Sequence, residues 1–242
     1  MKIAIAGSTG LIGHQLLALA EENGHEVVGL SRRTGFDLLT GDGLDAALQG
    51  VQAVVDVTQG PAQEQAAATE FFETVATNLG RAATAAGVRR TVVLSIVGTD
   101  KSPDYGYYVA KLAHENATRA HAPGAVVLRA TQFHEFAGQM LSWNRDGDTV
   151  RIIDVPTQPV ASAEVVRLLL DLATADTASD TDLAGPKVEN LVAQVRRLVE
   201  RSGESIQVEA VPAPASMASG SMLPEPNALI RGPEWEQWLE QN

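Results

Sequence analysis

The stretch from Lys2 to Arg33 constrains the fold more than any other. Lys2-Ile3-Ala4-Ile5-Ala6 is a short apolar run that breaks at once into Gly7-Ser8-Thr9-Gly10-Leu11-Ile12-Gly13, and the amphipathic segment His14 to Asn23 follows. A second apolar run, Glu26-Val27-Val28-Gly29-Leu30, comes next, so the order is strand, glycine turn, helix, strand. In such a unit the first glycine permits a sharp turn, the second keeps a Cβ out of the loop, and the third lets the helix lie close on the strand. The unpaired N–H groups of the helix N-terminus face the same loop and suit phosphate. The spacing therefore predicts a dinucleotide site formed by Gly7, Ser8, Thr9, Gly10, Leu11, Ile12 and Gly13.

The end of the second strand bears on which dinucleotide. A site selective for NAD(H) usually places an acid there to accept from the ribose 2′-hydroxyl, whereas this chain has Ser31-Arg32-Arg33. Two guanidiniums and a hydroxyl suit a 2′-phosphate, which favours NADP(H) over NAD(H). The blander alternative makes Arg33 a solvated loop charge and leaves the selection to Arg32. Val57 and Thr58, at the end of the apolar run Ala53 to Thr58, complete the predicted cofactor contacts together with Lys111.

Composition fits an α/β domain. The chain has 242 residues, 45% of them hydrophobic, enough for one large domain with a real core. Eighteen basic against thirty acidic residues give a net charge of −12, which disfavours nucleic acid and anionic membranes as partners. Cysteine is absent, so disulfides, thiolate metal sites and a cysteine nucleophile are excluded. No apolar run approaches the roughly 20 residues of a membrane span, and the N-terminus reads as a fold element, so a cytoplasmic location is expected.

Beyond Arg33 strands and helices alternate. With a short, weak segment at Gly35 to Leu39 counted as the third strand, Ala53 to Thr58 is the fourth, Thr91 to Ile96 the fifth and Ala125 to Leu128 the sixth. Helical stretches fall at Gly41 to Leu48, at 62 to 86 ending on Gly87, and at Tyr107 to His121. This alternation predicts a doubly wound parallel sheet of the Rossmann type. Past residue 130 a strand at Val150 to Val155, a helix at Ser162 to Ala173 with a serine cap, a helix at Val188 to Ser202 and a strand at Ile206 to Val211 read as excursions from that sheet. Residues 1–242 are thus read as one domain, with about 131–242 forming a smaller substrate-binding region. Residues 212 to 226, with Pro212, Pro214, Pro224 and Pro226, read as a surface loop over the site, and Trp235 and Trp238 as anchors of a C-terminal helix.

Catalytic chemistry is expected between residues 95 and 111. Ser95 lies near the carboxyl end of a strand, where ligands bind in open α/β sheets, and Tyr107 and Lys111 stand at i and i+4 of a helix. A free tyrosine titrates near pH 10, and a nearby ammonium would lower that value. Ser95 holding a carbonyl oxygen while Tyr107 delivers a proton is the set a carbonyl reduction needs.

Gly7-x-x-Gly10-x-x-Gly13, Leu94-Ser95-Ile96-Val97-Gly98-Thr99-Asp100, Gly106-Tyr107-Tyr108-Val109-Ala110-Lys111 and Arg129-Ala130-Thr131-Gln132-Phe133 together resemble the atypical short-chain dehydrogenase/reductases called NmrA-like or NAD(P)H-binding proteins. The resemblance implies a Rossmann fold with a small C-terminal substrate region and assigns the Tyr-x-x-x-Lys motif to Tyr107 and Lys111 and the serine to Ser95. It implies no substrate.

Other residues have plainer readings. Tyr108, at i+3 from Lys111, is expected to face a neighbouring helix or solvent. His14, His114 and His134 lack metal spacing, and no metal is expected. Gln132, Phe133 and His134 follow the sixth strand and are expected to line the substrate side of the nicotinamide. Asp56 fits a hydrogen-bonded core acid or a site residue equally. Three functions remain open: an NADPH-dependent reductase of a small carbonyl or enone, a non-catalytic NADP(H) sensor, and a sugar-nucleotide epimerase or dehydratase. The last is disfavoured by the size of the C-terminal region and by Arg32 and Arg33. A monomer or homodimer acting on a small molecule is expected.

Overall fold

Strand β1 (Lys2–Ala6) is buried on both sides, with Ile3 and Ile5 turned to one core and Ala4 and Ala6 to another, which places it at the centre of a sheet. A computed structural model shows the rest of the arrangement and describes residues 1–60 and 64–242. After β1 come α1 (Leu11–Glu22), β2 (Glu26–Leu30), α2 (Leu44–Ala47), β3 (Ala53–Asp56), α3 (Gln65–Ala85), β4 (Arg90–Ile96), α4 (Gly106–His121) and β5 (Ala125–Ala130). The second half adds α5 (Phe136–Trp143), β6 (Arg145–Asp146), β7 (Thr149–Ile153), β8 (Pro156–Thr157), α6 (Ser162–Thr174), β9 (Thr181–Ala184) and β10 (Glu189–Asn190). It ends with α7 (Leu191–Ser202), β11 (Gln207–Val211), α8 (Ala215–Ala218), β12 (Leu229–Ile230) and α9 (Trp235–Gln241).

The main sheet has seven parallel strands in the order β2-β1-β3-β4-β5-β9-β12. Strand order reverses between β1 and β3, so the crevice for a ligand opens outside the carboxyl ends of those two strands. Helices α1 and α6 cover one face and α2 and α3 the other, while α4 packs beside α3 through Ala110 against Phe72. A third core joins Val150 and Ile152 of β7, Leu191 and Val195 of α7, and Trp235 and Leu239 of α9 around Tyr108, Met217 and Met222. Next to it β11 and β6 flank β7, the first parallel and the second antiparallel.

Several elements differ from the sequence expectation. Gly35 to Leu39 is no strand: Ser31 and Thr34 form a capping box, Gly35 turns at φ 91°, and Asp37 accepts a hydrogen bond from the Leu39 N–H at 2.9 Å, which bends the chain. Strands β3, β4 and β5 are therefore third, fourth and fifth in the chain. Helix α3 starts at Gln65 because the Glu64 carboxylate accepts from the N–H groups of Ala66 and Ala67; positions 62 and 63 of the expected helix lie outside the described residues. Ser162 does not cap α6, since its hydroxyl donates to Glu135 Oε1 at 2.7 Å. Helix α7 starts at Leu191, because Asn190 caps it through the N–H of Ala193. Helix α6 and strands β9 and β12 belong to the main sheet layer, so the part after residue 130 is more than a set of excursions.

Candidate active site

The glycine turn separates what the protein needs from what a ligand needs. Gly7 has φ 81°, and a Cβ there would stand 2.8 Å from the Val57 carbonyl oxygen. A Cβ on Gly13 would run into the carbonyl of Gly7, so this glycine sets the close approach of α1 to β1. Gly10 is different: a Cβ would meet only the Gly7 oxygen, at an ordinary 3.5 Å. Among the described residues nothing requires glycine at position 10. The space it leaves lies over the N-terminus of α1, whose first N–H groups have no intrahelical acceptor and whose first turn carries no acid. This open cradle fits a pyrophosphate. Ser8 Oγ is buried against Gly29 of β2, without a hydrogen-bond partner among the described residues.

At the end of β2 the side chains divide. Ser31 Oγ accepts from the Thr34 N–H and lies 3.2 Å from Thr34 Oγ1, so the hydroxyl expected for the cofactor is taken up in holding the loop. Arg32 and Arg33 are exposed, and neither guanidinium has a hydrogen bond or ion pair among the described residues.

Lys111 is buried on α4 with its ammonium in a fixed setting. It donates to the Leu94 carbonyl oxygen and to His114 Nδ1, each at 2.9 Å, and stands 4.5 Å from the centre of the Phe72 ring. His114 Nε2 lies 3.0 Å from Asp56 Oδ2, and Asp56 Oδ1 accepts from the Thr58 N–H at 2.9 Å and from its hydroxyl at 2.7 Å. Asp56 is thus a buried, hydrogen-bonded acid joined through His114 to Lys111. Burial works against its charge, but the contacts from His114 and Thr58 prevail and hold it below the ordinary carboxylate range. Burial and the neighbouring Lys111 hold His114 below its ordinary value, which leaves a neutral ring donating from Nε2 to Asp56. Burial also brings Lys111 down to about 8, against the opposing pull of Asp56 and Glu115. The sequence offers His114 only as a metal ligand without metal spacing, although a signal for its link to Lys111 is present: three residues from Lys111, it shares that face of the helix.

Tyr107 is half-buried in the first turn of α4, with its ring 6.0 Å from that of Phe72. Its pKa is not lowered as expected. Burial pushes it up to about 12, with Tyr105 adding to the effect, while the Lys111 ammonium is turned to Leu94 and His114. Ser95 also has a partner that the sequence did not suggest. Its hydroxyl donates to Glu115 Oε1 at 2.6 Å inside a buried cluster completed by Thr99 and Arg129. Glu115 lies eight residues beyond Tyr107, about 12 Å along the helix axis, so Ser95 does not join Tyr107 around one carbonyl oxygen. Tyr108 is neither at a surface nor against a helix alone. It is buried in the third core, where its hydroxyl accepts from Gln132 Nε2 at 3.3 Å.

Beyond β5, Gln132 faces Tyr108, and its Oε1 is buried without a partner among the described residues. Phe133 is half-buried and packs against the first core. His134 departs from its expected place: it is buried, stacks edge-on with Trp238 at 5.3 Å and has Nε2 3.1 Å from the Pro159 carbonyl oxygen. Burial lowers its pKa to about 4. Trp235 Nε1 donates to the His134 carbonyl oxygen at 3.0 Å, so both tryptophans anchor α9. The 212 to 226 segment packs at the carboxyl end of β4, where Ser221 Oγ lies 2.7 Å from Ser102 Oγ. Among the described residues, no helix is long and apolar enough to cross a membrane, and no His, Asp and Glu cluster is placed to hold a metal ion.

A seven-stranded parallel sheet with an open glycine cradle at its switch point defines a Rossmann-type dinucleotide-binding protein. Residues 3–133, more than half of the chain, match the NAD dependent epimerase/dehydratase family. The chain belongs to that family of NAD(P)-dependent enzymes, within the extended and atypical short-chain dehydrogenases/reductases. No curated protein matches the sequence. Among solved structures it is similar to a dTDP-4-dehydrorhamnose reductase from Clostridium acetobutylicum, at TM-score 0.76 and 15% identity over 100% of this chain and 98% of that one. The dTDP-4-dehydrorhamnose reductase from Bacillus anthracis in complex with NADP gives 0.74 and 13%, over 99% and 97%. MoeE5 in complex with UDP-glucose and NAD gives 0.73 and 21%, over 90% and 87%. At these identities the likeness is one of fold. The chain spans nearly the whole length of both reductases.

Proposed function

We propose that the chain is an NADPH-dependent reductase of a carbonyl or enone in which Tyr107 supplies the proton. The observation that carries this reading is the arrangement around Phe72. Tyr107 and Lys111 both pack on its ring, and Lys111 is joined through His114 and Asp56 to Thr58, whose N–H abuts the Gly7 turn. NADPH, held by the Gly10 cradle and by Arg32 and Arg33, would supply hydride. A tyrosine pushed up to about 12 keeps its proton at neutral pH, which suits a donor to a developing alkoxide and makes it a poor base. Gln132 and Phe133, with the 212 to 226 segment, are assigned to the substrate side.

One observation favours a second reading, a member of the family that binds NADP(H) without turnover: the Ser95 hydroxyl is committed to Glu115. The test is an assay for nucleotide bound to the purified protein, followed by NADPH oxidation with aldehydes, quinones, enones and a nucleotide-linked keto-sugar, the last chosen because dTDP-4-dehydrorhamnose is named for two neighbours. Turnover that disappears in Tyr107→Phe supports the reductase. Tight NADPH binding with no oxidation on any substrate supports the binder.

A further inference from the structure

We propose that His114 and Asp56 are positioning residues for Lys111, a buried row that holds its ammonium in place and cationic between the glycine turn and the Tyr107 helix. The inference rests on the reductase reading for its kinetic consequence, but not for its geometry. Asp56 is an acceptor only, so the 3.0 Å contact requires the proton of the ring on His114 Nε2. Nδ1 is then a bare lone pair, and the 2.9 Å contact to Lys111 is a donation from the ammonium. One tautomer satisfies both bonds. The ring cannot swing, because it is stacked on Phe72 at 4.7 Å and 22°. Phe72 also lies under Lys111, and the Leu94 carbonyl takes another of its protons. At the far end the Thr58 N–H and hydroxyl saturate the remaining oxygen of Asp56.

The charge argument runs the same way. A buried ammonium is costly unless an anion compensates it. The groups around Lys111 are Asp56 from β3, His114 and Glu115 from α4, the Leu94 carbonyl from β4 and the uncharged Phe72 ring from α3. Glu115 is already paired with Arg129 and Arg119, so Asp56 is the anion whose charge is unmatched except by Lys111. The imidazole transmits that attraction while keeping the two charges one ring apart.

The test is a titration of the ε-carbon of Lys111 by NMR on the protein free of cofactor and substrate; the chain has four lysines, and Lys111→Arg assigns the signal. Asp56→Asn and His114→Phe are each expected to lower the midpoint by about one pH unit or more, whereas His114→Gln, whose amide still offers an acceptor to Lys111 and a donor to Asp56, stays near the parent value. If Asp56→Asn fails to fold, the two His114 variants carry the comparison. Unchanged midpoints in Asp56→Asn and His114→Phe overturn the proposal, as does a Gln variant that titrates like Phe. In kinetics the high-pH limb of kcat/KM should move down with the midpoint, a loss of roughly tenfold per unit on that limb and little at pH 6. Shifted midpoints in a protein with no turnover would overturn the reductase reading and leave the row standing.

Discussion

Glu115 of α4 and Arg129 of β5 meet in a two-pronged pair, Nε to Oε1 and Nη2 to Oε2, each at 2.9 Å. The same carboxylate accepts from Ser95 and Thr99, and Arg129 reaches Asp100 at 2.9 Å, so one buried acid ties β4, α4 and β5 together. Glu115→Ala leaves the guanidinium and the serine hydroxyl without their acceptor and is expected to cost roughly 3–5 kcal/mol. Urea unfolding measures this, and a loss under about 1 kcal/mol would mean that the cluster is not what holds Ser95.

The same pair sets a direction for acid stability. Burial opposes the charge of Glu115, but Arg129 and Ser95 overcome it and hold its folded pKa below the ordinary 4.5. A depressed carboxylate contributes stability that is present above its unfolded pKa and is lost as pH falls through the folded one. Asp56, held well below 3.8, acts in the same sense. Melting temperature should therefore drop below about pH 4.5, and Glu115→Gln should flatten that drop while lowering the plateau at pH 7. A parallel curve in the variant would refute the assignment.

The proposed preference for NADPH is assigned to Arg32, an exposed side chain just after β2 with no hydrogen bond or ion pair among the described residues. Arg32→Ala is expected to weaken NADPH by roughly ten- to a hundredfold, the worth of a charge-assisted contact, and to leave NADH nearly unchanged. Isothermal titration decides this, and equal losses would remove Arg32 from the site. Gly10→Val should abolish both affinities yet melt within a degree or two of the parent, because among the described residues the nearest atom to the new Cβ beyond its chain neighbours is the Gly7 oxygen at 3.5 Å. Gly13→Val should fail to fold.

The dinucleotide half was legible because its signals are local. The turn from Gly7 to Gly13 follows an apolar strand directly, and the conformation of Gly7 and the packing of Gly13 are as their spacing implies. Strands β9 and β12 were not legible: they span four and two residues, β9 pairs with β5 and β12 with β9, and each partner lies about fifty residues earlier in the chain. Ser95 misled for a related reason. Its position near a strand end is a sequence fact, but its partner is a carboxylate twenty residues away whose direction depends on how α4 is rotated. His134 likewise sits on the expected loop, and only the docking of α9 shows that it is enclosed.

The docking of α9 gives a separate prediction. Trp235 is buried and donates to the His134 carbonyl, and Trp238 lies on the His134 ring. Trp235→Ala should cost roughly 3–5 kcal/mol, concentrated in the third core. Hydrogen exchange should show α7, α9 and β7 opening early while β1 and β3 keep their protection. Uniform loss of protection across both regions would show that the third core does not open separately.

Tyr107 and Tyr108 are adjacent, but the helix sends them to different places, and the difference is testable. Tyr107 is half-buried beside Phe72 and Lys111, whereas Tyr108 is enclosed in the third core with its hydroxyl on Gln132. Tyr107→Phe removes only the transferable proton, so turnover should fall by roughly 10²–10⁴-fold with NADPH affinity nearly unchanged. Tyr108→Phe leaves the buried Gln132 amide without its partner, which should cost about 1–3 kcal/mol of stability and spare most of the turnover. Because burial holds Tyr107 at about 12, the rate with the parent protein should show no loss of the donor proton up to pH 9 or so, and the high-pH fall should follow Lys111 instead. A dead Tyr108→Phe beside an active Tyr107→Phe would reverse the assignment, and activity in both would move the proton source away from α4 altogether.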